Sequence, residues 1–388
     1  MTTPPASDRA NQGAAMRATV LERLPDLLTF DAGDDLVLSV YLNVAPDRQI
    51  GRGHEVTFVD LVRQLESQLN PPARECLERE SKRVQEALRH RIATGKSVAL
   101  FSCTPRELWI QLPLPVLVAE SVSLGRRPYL RPLLDVLDEH ERYAVALVDK
   151  EKARLFTIFL GEIDSRATIE DLVPGKHEQG GWSQANFQRH HEAHVYWHLK
   201  RVAEGLSVLL RQRPFDRLVL AGPDEATSEL RRILPRPLQQ RLVATVPAEL
   251  FLSEQEILEK TRAIEEQVER EAEKRLVDEV IETSANGGRA IYGLGPTVEA
   301  VWLGRVHHLL VAEGLRLAGS ECPACGWVGV DRPATCPSCG AAPTPFEDIV
   351  ERLIERTLNE GGRIEIVHGE AERKLRDVAE GLGALLRY

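Results

Sequence analysis

Several features are scarce or missing in this sequence of 388 residues. It has no run of about 18 apolar residues, which a membrane-spanning helix requires. Aromatic residues make up only 5%, and 59 acidic residues outnumber 49 basic ones, for a net charge of −10. This acidic balance argues against indiscriminate coating of nucleic acid, but it is compatible with local basic patches that contact RNA. The composition indicates a globular protein with no membrane partner.

The amino-terminal segment also lacks an apolar core. Residues 1–15 are rich in Thr, Pro, Ala and Gln, which is typical of a disordered lead-in and not of a secretory signal peptide. We therefore expect a cytoplasmic location, where thiols remain reduced.

Cysteine is rare, and its six residues are unevenly placed. Cys76 and Cys103 are isolated, and we expect both to be buried as small hydrophobic residues. The other four form two Cys-x-x-Cys pairs separated by ten residues, each followed by glycine: Cys322, Cys325, Cys336 and Cys339. Four thiolates at this spacing suit tetrahedral zinc, and the paired arrangement in a reducing compartment disfavours disulfides or a redox motif. Because no coordination position remains open for water, the spacing predicts a structural zinc ribbon over residues 320–342.

The first region of the chain shows an α/β pattern without obvious chemistry. Apolar runs predict three strands. Two helices are also expected, one before and one after Pro71-Pro72. These elements are Leu36–Leu42, Ser97–Phe101 and Leu108–Leu112 as strands, with Val56–Leu69 and Arg74–Arg91 as helices.

The second region begins with a hairpin pattern and continues with a long helix. Tyr143–Val148 and Ala153–Phe159 are the predicted hairpin strands, and Arg217–Ala221 is a third strand. Apolar residues at spacings of four and three predict the helix and its buried stripe: Val195, Leu199, Val202, Leu206 and Leu209.

The third region follows a charge-rich helix predicted over Glu254–Glu282. Strands and helices then alternate, with the cysteine pairs as an insertion and Gly361-Gly362 ending a helix. The predicted strands are Ala290–Tyr292, His308–Val311, Arg363–Val367 and Ala384–Tyr388, and the predicted helices are Thr297–Leu303 and Ile349–Asn359.

A polar stretch over residues 177–186 contains the pair Gly180-Gly181. Two glycines can form a mobile loop that threads a narrow space. Taken alone, the stretch is more typical of a surface turn that joins a hairpin to a helix.

The helix after this stretch is rich in histidine and carries basic residues. His190, His194 and His198 share one helix face, which would also suit a catalytic metal. The sequence His191-Glu192-Ala193-His194 has the wrong spacing for a zinc-protease motif, however. A solvated or RNA-facing helix is the favoured interpretation, with these predicted RNA contacts: His177, Arg189, His190, His194, Lys200 and Arg201.

Several of these segments, in order, resemble archaeal and eukaryotic class-one release factors and Pelota, in particular a bacterial branch of that superfamily. Lys176–Arg189 resembles the family's catalytic loop and following helix, and Leu218–Pro223 resembles a family strand that ends in Ala-Gly-Pro. Gly288–Gly293 and His308–Gly314 are similar to the start of the family's third domain, which often carries a cysteine-rich insertion. The closing segment, Gly381–Tyr388, is similar to the family's carboxyl-terminal signature.

The resemblance implies a multidomain α/β protein with three domains. These are an amino-terminal α/β domain (1–138), a ribonuclease-H-like middle domain (139–275) and an αβα, ribosomal-protein-like carboxyl-terminal domain (276–388) that holds the zinc ribbon. It also implies ribosomal RNA and peptidyl-tRNA as partners, with a translational GTPase bound by the third domain. In the family, a glutamine beside two glycines positions water against the ester that joins peptide to tRNA.

Two departures from the family pattern separate the functional hypotheses. Trp182 follows Gly180-Gly181 where the family has glutamine, and the nearest glutamine is Gln184. The first region contains neither an Asn-Ile-Lys-Ser nor a Tyr-x-Cys-x-x-x-Phe motif, so stop-codon reading is unsupported. One hypothesis is therefore codon-independent hydrolysis of peptidyl-tRNA in ribosome rescue, with Gly180, Gly181 and Gln184 as catalytic residues. A second is a non-catalytic hibernation factor in the ribosomal A site, and a third is a metal-dependent hydrolase that uses the histidine-rich helix.

Overall fold

The computed structural model describes residues 20–45, 52–90, 95–170, 183–346 and 348–388, with side chains for all of these except 90 and 183–192. The chain separates into two compact units. One comprises His140–Glu266, and the other comprises Ala18–Glu139 together with Gln267–Tyr388. Among the described residues, none of the helices combines the length and the apolar character needed to cross a bilayer.

The first sheet of the larger unit is antiparallel, with the strand order β3-β2-β1-β4. Its strands are β1 (Val37–Asn43), β2 (Ser97–Cys103), β3 (Leu108–Leu114) and β4 (Ser121–Gly125). The accompanying helices are α1 (residues 20–29), α2 (Gly53–Glu66) and α3 (Pro71–His90). Leu38, Val40 and Leu42 alternate along β1 and place one face of the sheet against Phe58 of α2 and Leu77 of α3.

The second sheet of this unit has the order β10-β16-β11-β15, with β11 and β15 parallel and the other pairs antiparallel. Its strands are β10 (Ala290–Tyr292), β11 (Val306–Ala312), β15 (Arg363–Val367) and β16 (Leu382–Leu386). Helix α4 (Arg131–Glu139) packs against β15, although it precedes that strand by more than 200 residues along the chain. The helices between the strands are α9 (Leu294–Trp302), α10 (Val350–Asn359) and α11 (Gly369–Ala379).

The cysteine-rich insertion forms a small antiparallel sheet of its own. Its order is β13-β12-β14, from β12 (Gly319–Glu321), β13 (Val328–Gly329) and β14 (Thr344–Phe346). Each strand spans only two or three residues, so main-chain pairing alone gives this sheet little stability.

The smaller unit contains a five-stranded mixed sheet of order β7-β6-β5-β8-β9. Its strands are β5 (Tyr143–Val148), β6 (Lys152–Phe159), β7 (Glu162–Glu170), β8 (Arg217–Ala221) and β9 (Leu242–Val246). Strands β5, β8 and β9 are parallel, and β5, β6 and β7 form an antiparallel meander. Helices α5 (Ser183–Gln212), α6 (Asp224–Ile233) and α7 (Arg236–Gln239) lie within this unit, and α8 (Glu254–Ala285) begins in it.

The two faces of this sheet have separate cores. One face packs on the apolar stripe of α5, in which Val195, Leu199 and Leu206 are buried against Ala144 and Leu220. The opposite face includes Tyr143, Val145 and Ile158 and packs on Ile257 near the start of α8. The stripe predicted from the sequence is therefore the buried side of α5, which confirms how this helix is oriented on the sheet.

The multidomain α/β class with several sheets is confirmed. The division at residues 138 and 275 into three domains stays a prediction, and the structure groups the first and last of these regions in one compact unit.

Candidate functional site

The four clustered cysteines bring their sulfur atoms together. Each residue offers one sulfur, and all four sulfurs lie within 4.8 Å of one another. The Sγ atoms of Cys322 and Cys339 are 3.5 Å apart, and those of Cys325 and Cys336 are 3.6 Å apart. These separations exceed a disulfide bond of about 2.05 Å and approach the edge of about 3.8 Å in a tetrahedron with zinc–sulfur bonds of about 2.3 Å. The arrangement has the geometry of a closed, four-thiolate metal site.

Both Cys-x-x-Cys turns have the same backbone conformation. The backbone N–H of Gly326 donates to the carbonyl of Cys322 at 2.8 Å, and that of Gly340 donates to Cys336 at 2.9 Å. Gly326 and Gly340 have φ angles of 74° and 78°, in the left-handed region that favours glycine. Two matching turns thus present two sulfurs each to one centre.

The protonation of the sulfurs reflects how close they are. Although burial acts in the opposite direction, N–H groups of Cys325 and Ala324 lower the pKa of Cys322 to about 7. The N–H of Ala341 lowers the pKa of Cys339, but the neighbouring sulfurs of Cys322 and Cys325 outweigh it and raise that pKa to about 12. Thiolates this close together repel one another, and a bound cation would balance their charge.

The four-cysteine cluster is attached to helix α10 of its unit by specific contacts. The N–H of Ile349 donates to the carbonyl of Leu317 at 2.8 Å, and the guanidinium of Arg352 lies 3.3 Å from the carboxylate of Glu321. Arg352 also lies over the ring of Phe346, 5.0 Å from its centroid. These contacts tie β12 and β14 to the start of α10, so the cluster is part of the packed unit.

A second candidate surface lies on α5, on the side opposite its buried stripe. Lys200 and Arg201 are exposed there, as the sequence predicts for RNA contacts, and His194 is half-buried. The side chains of Arg189 and His190, and all of His177, lie outside the described residues. Their predicted roles therefore remain predictions.

His198 corrects the expected histidine face of α5. Its side chain is only 1% exposed, because it falls within the buried stripe beside Leu199 and Val202. Burial lowers the pKa of its imidazole and outweighs the opposing effects of the Lys152 backbone and the Asp149 charge. Among the described side chains, neither His194 nor His198 joins a group of metal-ligating atoms. The described part of α5 therefore gives no support to a catalytic metal.

Sequence reasoning missed two aromatic residues on the exposed side of α5. Tyr196 is 49% exposed and Trp197 is 58% exposed, and their ring centroids lie 5.8 Å apart in an edge-to-face arrangement. The ammonium of Lys200 lies 4.9 Å from the centroid of the Trp197 ring. The sequence could have indicated that Tyr196 and Trp197 are exposed, because at helical spacing these two residues fall outside the apolar stripe of Val195 and Leu199.

The predicted catalytic residues lie at the boundary of what the structure describes. Gly180, Gly181 and Trp182 are outside the described residues. Helix α5 begins at Ser183, so Gln184 belongs to its first turn. The side chain of Gln184 lies outside the described side chains, so its catalytic role stays a prediction.

A second group of ionisable side chains surrounds His368. Its Nδ1 lies 2.9 Å from a carboxylate oxygen of Glu273 and 3.3 Å from one of Glu139, and its Nε2 lies 3.2 Å from Asp135. Arg270 donates to Glu139 and, at 2.8 Å, to Glu273. Because Arg270 and His368 form ion pairs with these carboxylates, the group is best described as an ion-pair network.

Comparisons with known proteins match most of the chain to one superfamily. The model described as Bacterial archaeo-eukaryotic release factor family 10 matches residues 128–266, and the model described as eRF1 domain 3 matches residues 271–388. The second match includes all four clustered cysteines.

Individual relatives agree with these family matches. Peptide chain release factor subunit 1 of Archaeoglobus fulgidus is 28% identical over 285 residues, covering 67% of this chain and 69% of that protein. The protein of the same name from Methanocaldococcus jannaschii is 28% identical over 294 residues, with the same coverage of 67% and 69%. Among solved structures, S. cerevisiae Dom34 is 12% identical over 75% of this chain and 79% of that chain, with a TM-score of 0.42. By its two family matches and these relatives, the chain belongs to the archaeo-eukaryotic release factor and Pelota superfamily.

Proposed function

We propose that this chain binds the ribosome as a release-factor-like protein and hydrolyses the ester of peptidyl-tRNA without reading a codon. The observation that carries the proposal is that Gln184 belongs to the first turn of α5 and follows Gly180-Gly181 in the sequence, within the span that matches the bacterial release factor family. The exposed cations Lys200 and Arg201 further along α5 suit contact with an RNA backbone.

In the proposed reaction, a water molecule attacks the carbonyl carbon of the ester between peptide and tRNA. The carbon–oxygen bond to the ribose then breaks, so that the peptide leaves as a carboxylic acid and the tRNA regains its hydroxyl group. Gly180 and Gly181 pass a crowded RNA pocket, and the amide of Gln184 orients the water. Because Gln184 belongs to the first turn of α5, the positive end of the helix dipole would favour the developing oxyanion.

A specific residue favours a second candidate function. Trp182 stands where the superfamily's release factors have glutamine, and its bulk opposes close packing of the glycine pair against RNA. In this alternative the chain occupies the ribosomal A site without hydrolysis, as a hibernation factor does. The third hypothesis, a metal-dependent hydrolase, loses support because His198 is buried inside the core of its unit.

We also propose that Cys322, Cys325, Cys336 and Cys339 hold one structural zinc ion. Support comes from the four sulfurs, which lie within 4.8 Å of one another, and from the two matching Cys-x-x-Cys turns that present them. With four protein ligands, the zinc would stabilise the fold and would not activate water. By resemblance to the superfamily, the region that carries the ribbon would also bind a translational GTPase.

Release from stalled ribosomes tests the main proposal. Purified protein is incubated with ribosomes that carry labelled peptidyl-tRNA, alongside Gln184→Ala and the control Gln212→Ala at the exposed far end of α5. We expect Gln184→Ala to slow release by about 100-fold or more while ribosome binding is unchanged, and the control to behave as wild type.

Other outcomes of this experiment are informative in different ways. Loss of both release and binding in Gln184→Ala would remove Gln184 from the catalytic role. Stable binding of the wild type without release would establish the A-site occupant instead. Absence of any ribosome binding would refute both candidates.

A further inference from the structure

The exposed side of α5 carries two large aromatic side chains next to each other, which is unusual for a helix face in water. Tyr196 and Trp197 are adjacent in sequence and are 49% and 58% exposed. Single exposed apolar residues are common, but two neighbouring large rings in contact with each other form a continuous patch. The core of this unit does not use them, because the buried stripe of α5 runs along the other side of the helix.

A positive charge lies against this patch. The ammonium of Lys200 lies 4.9 Å from the centre of the Trp197 ring, and Arg201 is exposed beside it. Glu204 is the exposed acidic residue one turn further along the helix. The chain as a whole has a net charge of −10, so a pair of cations next to two aromatic rings is a local exception that would attract a negatively charged ligand.

The combination of rings and ammonium fits one kind of ligand. An unpaired nucleotide offers a flat base that stacks on an aromatic ring and a phosphate that an ammonium neutralises. An apolar protein segment would match the rings but would offer no negative charge to the Lys200 ammonium beside them.

We propose that Tyr196, Trp197 and Lys200 form a stacking platform for an unpaired RNA base, with Lys200 on the adjoining phosphate. The proposal deepens the ribosome-binding function and rests on it for the source of the RNA, which is either ribosomal RNA or tRNA. In this arrangement the platform fixes the orientation of α5, and therefore of Gln184 at its start, against RNA.

The first test measures affinity for ribosomes with the full-length chain. Trp197→Ala and Tyr196→Ala are each expected to weaken binding by about 10-fold, whereas Trp197→Phe, which keeps a ring, should retain most of the affinity. Lys200→Ala should reduce the slope of log affinity against log salt by about 0.7, as expected for one lost contact with single-stranded phosphate. The controls are Val208→Ala, on the same exposed side of α5, and Phe251→Ala, an exposed aromatic residue elsewhere in the unit. Both controls should bind as wild type does.

A second measurement identifies the occupant and separates this proposal from the proposed function. A photo-crosslinking benzoylphenylalanine in place of Trp197 should crosslink to RNA on the ribosome, and sequencing of the adduct distinguishes ribosomal RNA from tRNA. Binding to unstructured oligouridine is measured in parallel, where Trp197→Ala should again lose about 10-fold.

The outcomes of the two assays are distinguishable. If the wild type fails to bind ribosomes but shows the Trp197-dependent affinity for oligouridine, the proposed function fails and the platform stands. If ribosome binding is intact and Trp197→Ala has no effect, or if the crosslink is to protein, the platform is refuted and the proposed function stands. Equal losses in Trp197→Phe and Trp197→Ala that track a lower unfolding temperature would also refute it, because they would indicate a structural role. If the wild type binds neither ribosomes nor oligouridine, both proposals fail.

Discussion

His368 owes its protonation state to the carboxylates around it. Burial disfavours a charged imidazole, but hydrogen bonds to Asp135 and Glu273, together with the charge of Glu139, raise the pKa of His368 to about 10. The ring is therefore positively charged at neutral pH. Its acidic partners come from α4 and α8, so one side chain links three separate segments of the larger unit.

The raised pKa makes the contribution of His368 to stability depend on pH. Because the pKa is higher in the folded state than in the unfolded chain, the stabilisation is complete below about pH 6.5 and is lost as pH rises towards 10. We expect His368→Gln to lower the free energy of unfolding by about 3 kcal/mol at pH 6, with the difference from wild type shrinking towards pH 10.

Denaturant unfolding at a series of pH values measures this difference. His307→Gln, at an exposed position in the same unit, serves as the matched control and should unfold as wild type does. A deficit in His368→Gln that stays constant from pH 6 to pH 10 would show that the imidazole charge contributes nothing.

Gly222 shows how one strand end depends on the backbone of its neighbours. It follows β8, has a φ of 149°, and donates its N–H to the carbonyl of Val246 at the end of β9. A Cβ atom at this position would lie 2.0 Å from the carbonyl oxygen of Val148 at the end of β5. The three parallel strands therefore meet at a point where only glycine fits.

Replacement of this glycine should destabilise the smaller unit. Gly222→Ala adds both an unfavourable φ and a clash with main chain, so we expect a loss of roughly 3 kcal/mol in unfolding free energy. Gly295→Ala is the contrasting variant, because its position is helical and, apart from its chain neighbours, a Cβ there would meet nothing within 4 Å. Pro296 follows and disfavours a helical Ala before it, which offsets the entropic gain, so the change in unfolding free energy should stay below about 1 kcal/mol. Equal unfolding midpoints for the two variants would contradict the predicted clash.

Elements with strong local patterns could be predicted from the sequence. Tyr143–Val148 and Arg217–Ala221 were predicted with their observed bounds, because a central parallel strand buried on both faces reads as a continuous apolar run. Strand β4 and helix α11 were not predicted, because their sequence patterns are weak. Strand β4 is half-buried throughout and is defined by its pairing with β1, and α11 buries only Ala371, Leu375 and Ala379 among many charges.

The candidate sites divide in the same way. The cysteine spacing predicted the observed four-sulfur cluster, since each turn is local in sequence. The predicted apolar stripe also fixes which side of α5 meets the sheet, so the burial of His198 and the exposure of Trp197 could have been inferred from its spacing. The partners of His368 lie at positions 135, 139 and 273, and no local pattern relates residues so far apart in sequence.

The complete chain divides into units that should respond differently to loss of metal. The four-cysteine cluster belongs to the larger unit, where Ile349 and Arg352 attach its strands to α10. The smaller unit has its own cores on both faces of its sheet. A structural ion in the cluster should therefore stabilise the larger unit without changing the smaller one.

Removal of the proposed zinc tests this separation. Wild-type protein should carry one zinc ion per chain, Cys322→Ser should lose it, and Cys76→Ser, at an isolated cysteine of the same unit, should keep it. In hydrogen exchange, chelator-treated protein and Cys322→Ser should exchange faster over β12, β13, β14 and the first turn of α10, because strands of two or three residues cannot hold their sheet unaided. Residues 140–266 should exchange as in the wild type. An unchanged zinc content in Cys322→Ser would refute the site, whereas faster exchange throughout residues 140–266 would show that the two units do not respond independently.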